Sequence, residues 1–277
     1  MARQKLIVFT KHFKDLSVGE LVKALKSAGV DGADLCVRKG HPVEPWTAGK
    51  ELPKAVKKFK DAGLYIPLIT TEDFDDPKNP GVEKLMAACG ENGVGLIKLS
   101  YWDMEEGGYW KTVEKIRSLL EKFVKLAEKH GVKLVIHNHS GLTMGLNSSS
   151  VMNLVKGFDP RYVGVFADTG HLSLVGEPLP MALDIVKEYI AALAVKDLVR
   201  ERAVVDGKRR WQTRVVPLGE GFTDWQALSP TLRKINFKGV ISLHSEYGNL
   251  PVESLIDQVR MDVRFFRKVL DEGGKKK

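Results

Sequence analysis

The sequence predicts an α/β fold, a single (β/α)8 TIM barrel spanning residues 1–277, and three observations point to it. Short β-rich runs alternate with longer amphipathic ones, the pattern of βα units wrapped around a parallel sheet. The alternation repeats eight times within 277 residues, close to the ~250 of a typical barrel. An open, doubly wound sheet of this size would more often carry a glycine-rich dinucleotide turn after its first strand. Thr10-Lys11-His12-Phe13 stands there instead, and no GxGxxG or Walker-type sequence follows.

The first strand is expected at 5–9, where four apolar residues follow Lys5. A helix over 18–28 comes next, its apolar residues three or four apart, closed by Ala28-Gly29. Ala33-Asp34-Leu35-Cys36-Val37 is the second strand and Tyr65-Ile66-Pro67-Leu68-Ile69 the third, with Ala62-Gly63 ending the helix between them. Asn92-Gly93 ends another helix before the fourth strand at 95–99. The run 112–129 is a long amphipathic helix ending at His130-Gly131, before the fifth strand at 133–137. Glycine at these four helix ends supplies the left-handed conformation a C-cap requires. The sixth, seventh and eighth strands follow at 163–167, 190–195 and 240–244.

With 43% hydrophobic and 28% charged residues the chain can bury a large core, which excludes disordered and fibrous classes. Cys36 and Cys89 lie in apolar stretches without ligand spacing, so they read as core residues of a reducing compartment. Met1 to Lys5 lead straight into the first strand with no signal-peptide segment, and no apolar run approaches the ~20 residues of a membrane span. A cytoplasmic location is expected. The charge of +8 and pI near 9.3 come from lysines interspersed on outer helices and from the tail Lys275 to Lys277. That spread reads as a solvated surface, so neither nucleic acid nor membrane is expected as a partner; a homo-oligomer is left open.

In such a barrel the functional groups stand at the carboxyl ends of the strands. Five of the seven histidines fall there: His41, His137, His139, His171 and His244. His130 reads as a cation at a helix C-terminus, and His12 stays unassigned. His137 and His139 alternate on strand five and point to the same side, as do His244 and Glu246 after strand eight. Asp168 ends strand six with His171 one turn later, a pair suited to metal binding, proton transfer or, for Asp168 alone, capping the next helix. Lys98 ends strand four and Lys196 follows strand seven; a lysine beside carboxylates is an ion-pair partner or a proton donor. Arg38 and His41, on the loop after strand two, could hold a sugar hydroxyl or a phosphate. Glu220, between Gly219 and Gly221, is expected to reach toward the mouth, although the glycines could only shape a turn and Asp224 could cap the following helix.

Taken in order, Ile136-His137-Asn138-His139, Asp168-Thr169-Gly170-His171, Val195-Lys196-Asp197, Pro217-Leu218-Gly219-Glu220-Gly221 and Ile241-Ser242-Leu243-His244 resemble the sugar phosphate isomerase/epimerase family, with its xylose-isomerase-like barrel. The resemblance covers nearly the whole chain. It implies a sugar or sugar phosphate substrate and a divalent metal held by Glu, Asp, His and Glu from strands five to eight, where it polarises a keto-sugar for enolisation. His137 stands at the first Glu position, Asp168 matches, Ala194 stands at the His position and His244 at the last Glu position. The two missing glutamates are also the family's acid/base pair.

Two readings follow. In one, His137, Asp168 and His244 bind a divalent ion, with Zn, Mn or Fe favoured over Mg or Ca by two nitrogens and one carboxylate. In the other the metal is lost and Lys196 supplies the positive charge. The first is preferred. The function expected is proton abstraction next to a carbonyl in an isomerase or epimerase, with Lys196, Glu246 and His139 as acid/base groups and Arg38, His41, Lys98, His171 and Glu220 binding substrate. Burial beside His244 is expected to raise the Glu246 pKa, and a neighbouring cation to lower that of Lys196. A lyase or hydratase on a 3-keto sugar would use the same enolate. A metal-dependent abasic-site endonuclease would need more carboxylates, and a sugar-binding barrel without catalysis would need none.

Overall fold

The period-two alternation of the β-rich runs builds a ring of strands with two differently populated faces. A computed structural model of the protein describes residues 4–248 and 250–272; the first three residues and the lysine tail lie outside the described residues. Strands β1 (Leu6–Phe9), β2 (Gly32–Val37), β3 (Tyr65–Thr71), β4 (Leu96–Lys98), β5 (Lys133–His137), β6 (Val163–Asp168), β7 (Ile190–Val195) and β10 (Val240–Leu243) are parallel. They close in the order β1-β10-β7-β6-β5-β4-β3-β2, a single (β/α)8 barrel as expected from the eightfold repeat.

Outward residues such as Leu134, Ile136, Val165, Ala167, Ile241 and Leu243 join one continuous core with the surrounding helices. These are α1 (Val18–Ala28), α2 (Ala48–Asp61), α3 (Val82–Glu91), α4 (Tyr109–His130), α5 (Ser148–Val155), α6 (Thr169–Leu174), α7 (Leu179–Val186), α8 (Trp225–Lys234) and α9 (Val252–Glu272). The inward residues Ile7, Leu68, Val135, Phe166, Ala192 and Ala194 form a second, smaller cluster inside the ring. Each large apolar side chain buried in this way stabilises the fold by about 1.5–3 kcal/mol. Cys36 and Cys89 are free and buried.

Gly29 and Gly131 are the C-caps of α1 and α4, both left-handed, with φ of 80° and 66°. Ala62 and Asn92 occupy the caps of α2 and α3, and the left-handed glycine follows one residue later. Asp224 caps α8, accepting from the Ala227 N–H.

Between β7 and α8 the chain forms an element absent from the eightfold pattern. Antiparallel strands β8 (Asp197–Val205) and β9 (Lys208–Val216) pair over nine positions. Their turn, Asp206-Gly207, has φ of 51° and 72° at its two central residues, the arrangement of a type I′ hairpin turn. Alternation flanking an Asp-Gly pair is a readable hairpin signal. Among the described residues no helix is long and apolar enough to cross a membrane.

Candidate active site

Toward the carboxyl ends of the strands the inward positions turn from apolar to polar. Following each strand inward gives Phe9, Asp34, Thr70, Lys98, His137, Asp168 and Ser242, and the alternation carries on past the strand ends to Arg38, Lys196, His244 and Glu246. Phe9, Lys11, Arg38, Thr70, Lys98, Tyr101, His137, His139, Phe166, Lys196, His244 and Glu246 enclose a cavity of about 120 Å³. It shares Lys11, His139, Lys196 and Glu246 with a wider opening of about 440 Å³, which His12, His171 and the hairpin residues Leu198, Thr213 and Val215 also line. A larger groove, about 580 Å³, runs between α8, α9 and the start of β1, away from these groups.

One ligand atom from each of His137, Asp168 and His244 lies within 4.8 Å of the other two, and all three residues are buried. His137 Nε2 is 3.2 Å and His244 Nδ1 3.7 Å from Asp168 Oδ2. The other oxygen, Oδ1, accepts from the His171 N–H and caps α6, the capping role expected of Asp168, while Oδ2 faces the two imidazoles. Tyr101 Oη sits 2.7 Å from His137 Nδ1, and Asp34 Oδ2 lies 3.5 Å from His244 Nε2. Neither ring nitrogen of His244 has a hydrogen-bond partner although both are buried. Orphaned imidazole nitrogens facing a carboxylate are the donor set a divalent ion satisfies, so these residues fit a metal. Ala194, buried in the interior cluster, offers no donor at its level of β7.

Lys196 is the cation of this wall. Its Nζ lies 2.5 Å from Glu246 Oε2 and 3.7 Å from Asp168 Oδ2, and Lys11 pairs with the other oxygen of Glu246 at 3.0 Å. A Cβ at Gly170 would meet the Lys196 side chain at 3.1 Å, so glycine gives the lysine its place. Burial disfavours the ammonium, but Asp168 and Glu246 more than offset it and the Lys196 pKa is raised. Burial likewise opposes the carboxylates, yet Lys196, with His244 and Lys11, holds Glu246 below its usual range, and Lys196 and His171 do so for Asp168. Both sequence expectations are therefore reversed: Glu246 is lowered and Lys196 raised, because the two neutralise each other.

Lys98 has the opposite surroundings. It is 2% exposed and has no salt-bridge partner among the described residues; its Nζ rests 3.6 Å above the Tyr101 ring. Burial, then the Arg38 guanidinium, push its amine down to about 7. Burial also moves three of the histidines down: His137 is well below its ordinary value, His139 is lowered, and His171 falls to about 3. His139 stacks on His171 at 3.9 Å, and its Nδ1 is 2.7 Å from the Ser140 carbonyl. Only a protonated Nδ1 can donate there, which leaves Nε2 as an acceptor.

Two expected residues lie elsewhere. His41 lines neither opening and instead places Nε2 3.5 Å from Cys36 Sγ. Glu220 is exposed and lines neither; Asp197 accepts from the N–H groups of Gly219 and Gly221 and turns the loop outward. Tyr101, Lys11 and Asp34 were not picked out from the sequence. Tyr101 follows Lys98 closely enough to have been weighed with it, while Asp34 reads as an inward polar residue only once β2 is aligned.

A family model described as xylose isomerase-like TIM barrel matches residues 22–269. A protein of Escherichia coli (strain K12) named as an L-ribulose-5-phosphate 3-epimerase, SgbU, is 35% identical over 220 residues, 64% of this chain and 76% of that one. An inosose dehydratase of Clostridium perfringens is 30% identical over 232 residues, 72% and 76% of the two chains. The solved structure of the IOLI protein with a bound zinc atom covers 97% of this chain and 99% of its own, with a TM-score of 0.75 at 16% identity. That of an L-ribulose 3-epimerase covers 98% and 96%, with a TM-score of 0.73 at 13% identity. At such identities the structural likeness shows the shared barrel.

Proposed function

The chain belongs to the xylose isomerase-like TIM barrel family, and on that premise we propose that it is a sugar or keto-sugar epimerase or isomerase acting by proton abstraction next to a carbonyl. The observation that carries this reading is the convergence of His137, Asp168 and His244 beside the Lys196–Glu246 pair at one wall of a small polar cavity. These three residues would hold a divalent ion, and two nitrogens with one carboxylate suit Zn, Mn or Fe better than Mg or Ca. When bound, the ion supplies positive charge to the carbonyl oxygen and so favours enolisation.

The remaining work belongs to the side chains. The Lys196 ammonium adds charge where an enolate oxygen develops, and Glu246, ionised and within 2.5 Å of it, can pass a proton between that ammonium and carbon. Arg38, whose buried Nε has no partner, and the free acceptor of His139 suit sugar hydroxyls. Lys98, across the cavity, and His171, at the wider opening, complete the binding site. Dehydration of a keto-sugar begins with the same proton abstraction, and the inosose dehydratase relative keeps it as a second reading.

Incubation with L-ribulose 5-phosphate in D2O, followed by NMR, tests the proposal: deuterium should enter next to the carbonyl and a second epimer appear. Elemental analysis should find about one Zn, Mn or Fe per chain, lost in His137→Ala and His244→Ala. Protein with no ion, and no thermal stabilisation on adding Zn or Mn, would remove the metal from the reading.

A further inference from the structure

Lys196 and Glu246 occupy one wall of the cavity, and inverting a carbon centre needs a group on the other face as well. In the closed order β4 stands four places from β10, directly across an eight-strand ring. Glu246 follows β10 and Lys98 ends β4, and both line the same cavity. We propose that Lys98 is the second proton-transfer group of this site, working on the face of the sugar opposite Lys196–Glu246. This rests on the epimerase reading.

The surroundings of Lys98 suit the part. From β2 and its end come Asp34, Cys36 and Arg38, from β3 and its end Thr70 and Glu72, and from the next strand His137, with Tyr101 beneath the amine. None of the carboxylates is within ion-pair distance, whereas Arg38 repels a charge there. A buried lysine with no carboxylate within ion-pair distance and another cation near it gives up its proton far more readily than an exposed one, which makes it a usable base. Lys196, held as an ammonium against Glu246, is the matching acid.

The two lysines thus stand on opposed walls of one cavity, the placement that two acid/base groups of an epimerase require. The C–H bond breaks toward the Lys98 amine, which becomes an ammonium, and its electron pair passes to the carbonyl oxygen as an enolate. The Lys196 ammonium then returns a proton through Glu246 to the opposite face of the carbon. Exchange with water at the wider opening resets both lysines.

Two measurements decide it. With L-ribulose 5-phosphate and its 3-epimer as probes in D2O, Lys98→Met should lower epimerisation by about 10²-fold or more. One epimer should still exchange its hydrogen through Glu246, while the other no longer does. In 13C-lysine-labelled protein, the Cε resonance missing from Lys98→Met should titrate near pH 7. Wild-type epimerisation by Lys98→Met, or titration above pH 9, would overturn the proposal, as would a sugar adduct on Lys98 trapped by borohydride, which marks imine formation. An inert wild type would remove the epimerase reading and leave the titration to decide whether Lys98 is a free amine.

Discussion

The β4 wall and the β7/β10 wall of the mouth each present a buried lysine to the same small cavity, and their pKa values are moved in opposite directions. Lys196 meets two carboxylates, at 2.5 and 3.7 Å, and stays charged at 5% exposure. Lys98 meets an aromatic face and lies near a guanidinium at 2% exposure, and its pKa falls to about 7. Burial is nearly equal, so burial alone does not set the charge of a lysine; the partner that comes with it does. The same ion pair that neutralises Lys196 ties three strand ends of one wall together, while Lys98 is buried with no such partner among the described residues.

Stability measurements can break this contrast. The largest effect is expected for Lys196→Met, which leaves Asp168 and Glu246 facing each other without their shared cation. Unfolding should become easier by about 3 kcal/mol, the scale for breaking a buried pair from one side. A thermal midpoint equal to wild type would mean that the pair contributes nothing.

Lys98→Met should act in the other direction, stabilising by about 1 kcal/mol at neutral pH because an apolar chain replaces an amine that resists charging. The folded pKa of about 7 lies below the ordinary 10.5, so between these values the unfolded chain binds more protons and wild-type stability rises with pH. The advantage of Lys98→Met should therefore be greatest below pH 7 and shrink as the pH approaches 10.5. A gain independent of pH would contradict the charge state assigned to Lys98. The smallest effect is expected on the hairpin, where exposed Trp211 lies under Arg200 and Arg202; Trp211→Ala should stay within about 0.5 kcal/mol.

The barrel was legible because strand period and helix period differ, and eight alternations leave little choice of architecture. The positions of His137, Asp168 and His244 were legible for the same reason, since period two fixes which side of each strand faces the ring. Charge states were not. That the Glu246 and Lys98 pKa values are both lowered depends on which residues of other strands come near, and sequence spacing carries no register between distant strands. The hairpin falls outside the eightfold pattern although Asp206-Gly207 with alternating flanks announces it, because it is an insertion between one strand of the repeat and its helix. Glu220 was misplaced because the glycines beside it serve the turn alone.

That turn is governed by Asp197, the first residue of β8. Its carboxylate accepts from the backbone of Leu198, Gly219, Gly221 and Thr223 and from the Trp225 indole, five donors at 2.9 to 3.1 Å. A Cβ at Gly221 would come within 2.1 Å of it, so the loop can close only around glycine. Both feet of the hairpin are thereby riveted to the barrel by one side chain, independently of what lies between them. The intervening strands can lengthen, shorten or drift in sequence without disturbing the ring. Because Leu198, Thr213 and Val215 border the opening, such drift would reshape that opening while the polar groups of the cavity wall stay in place, making the hairpin a natural graft point.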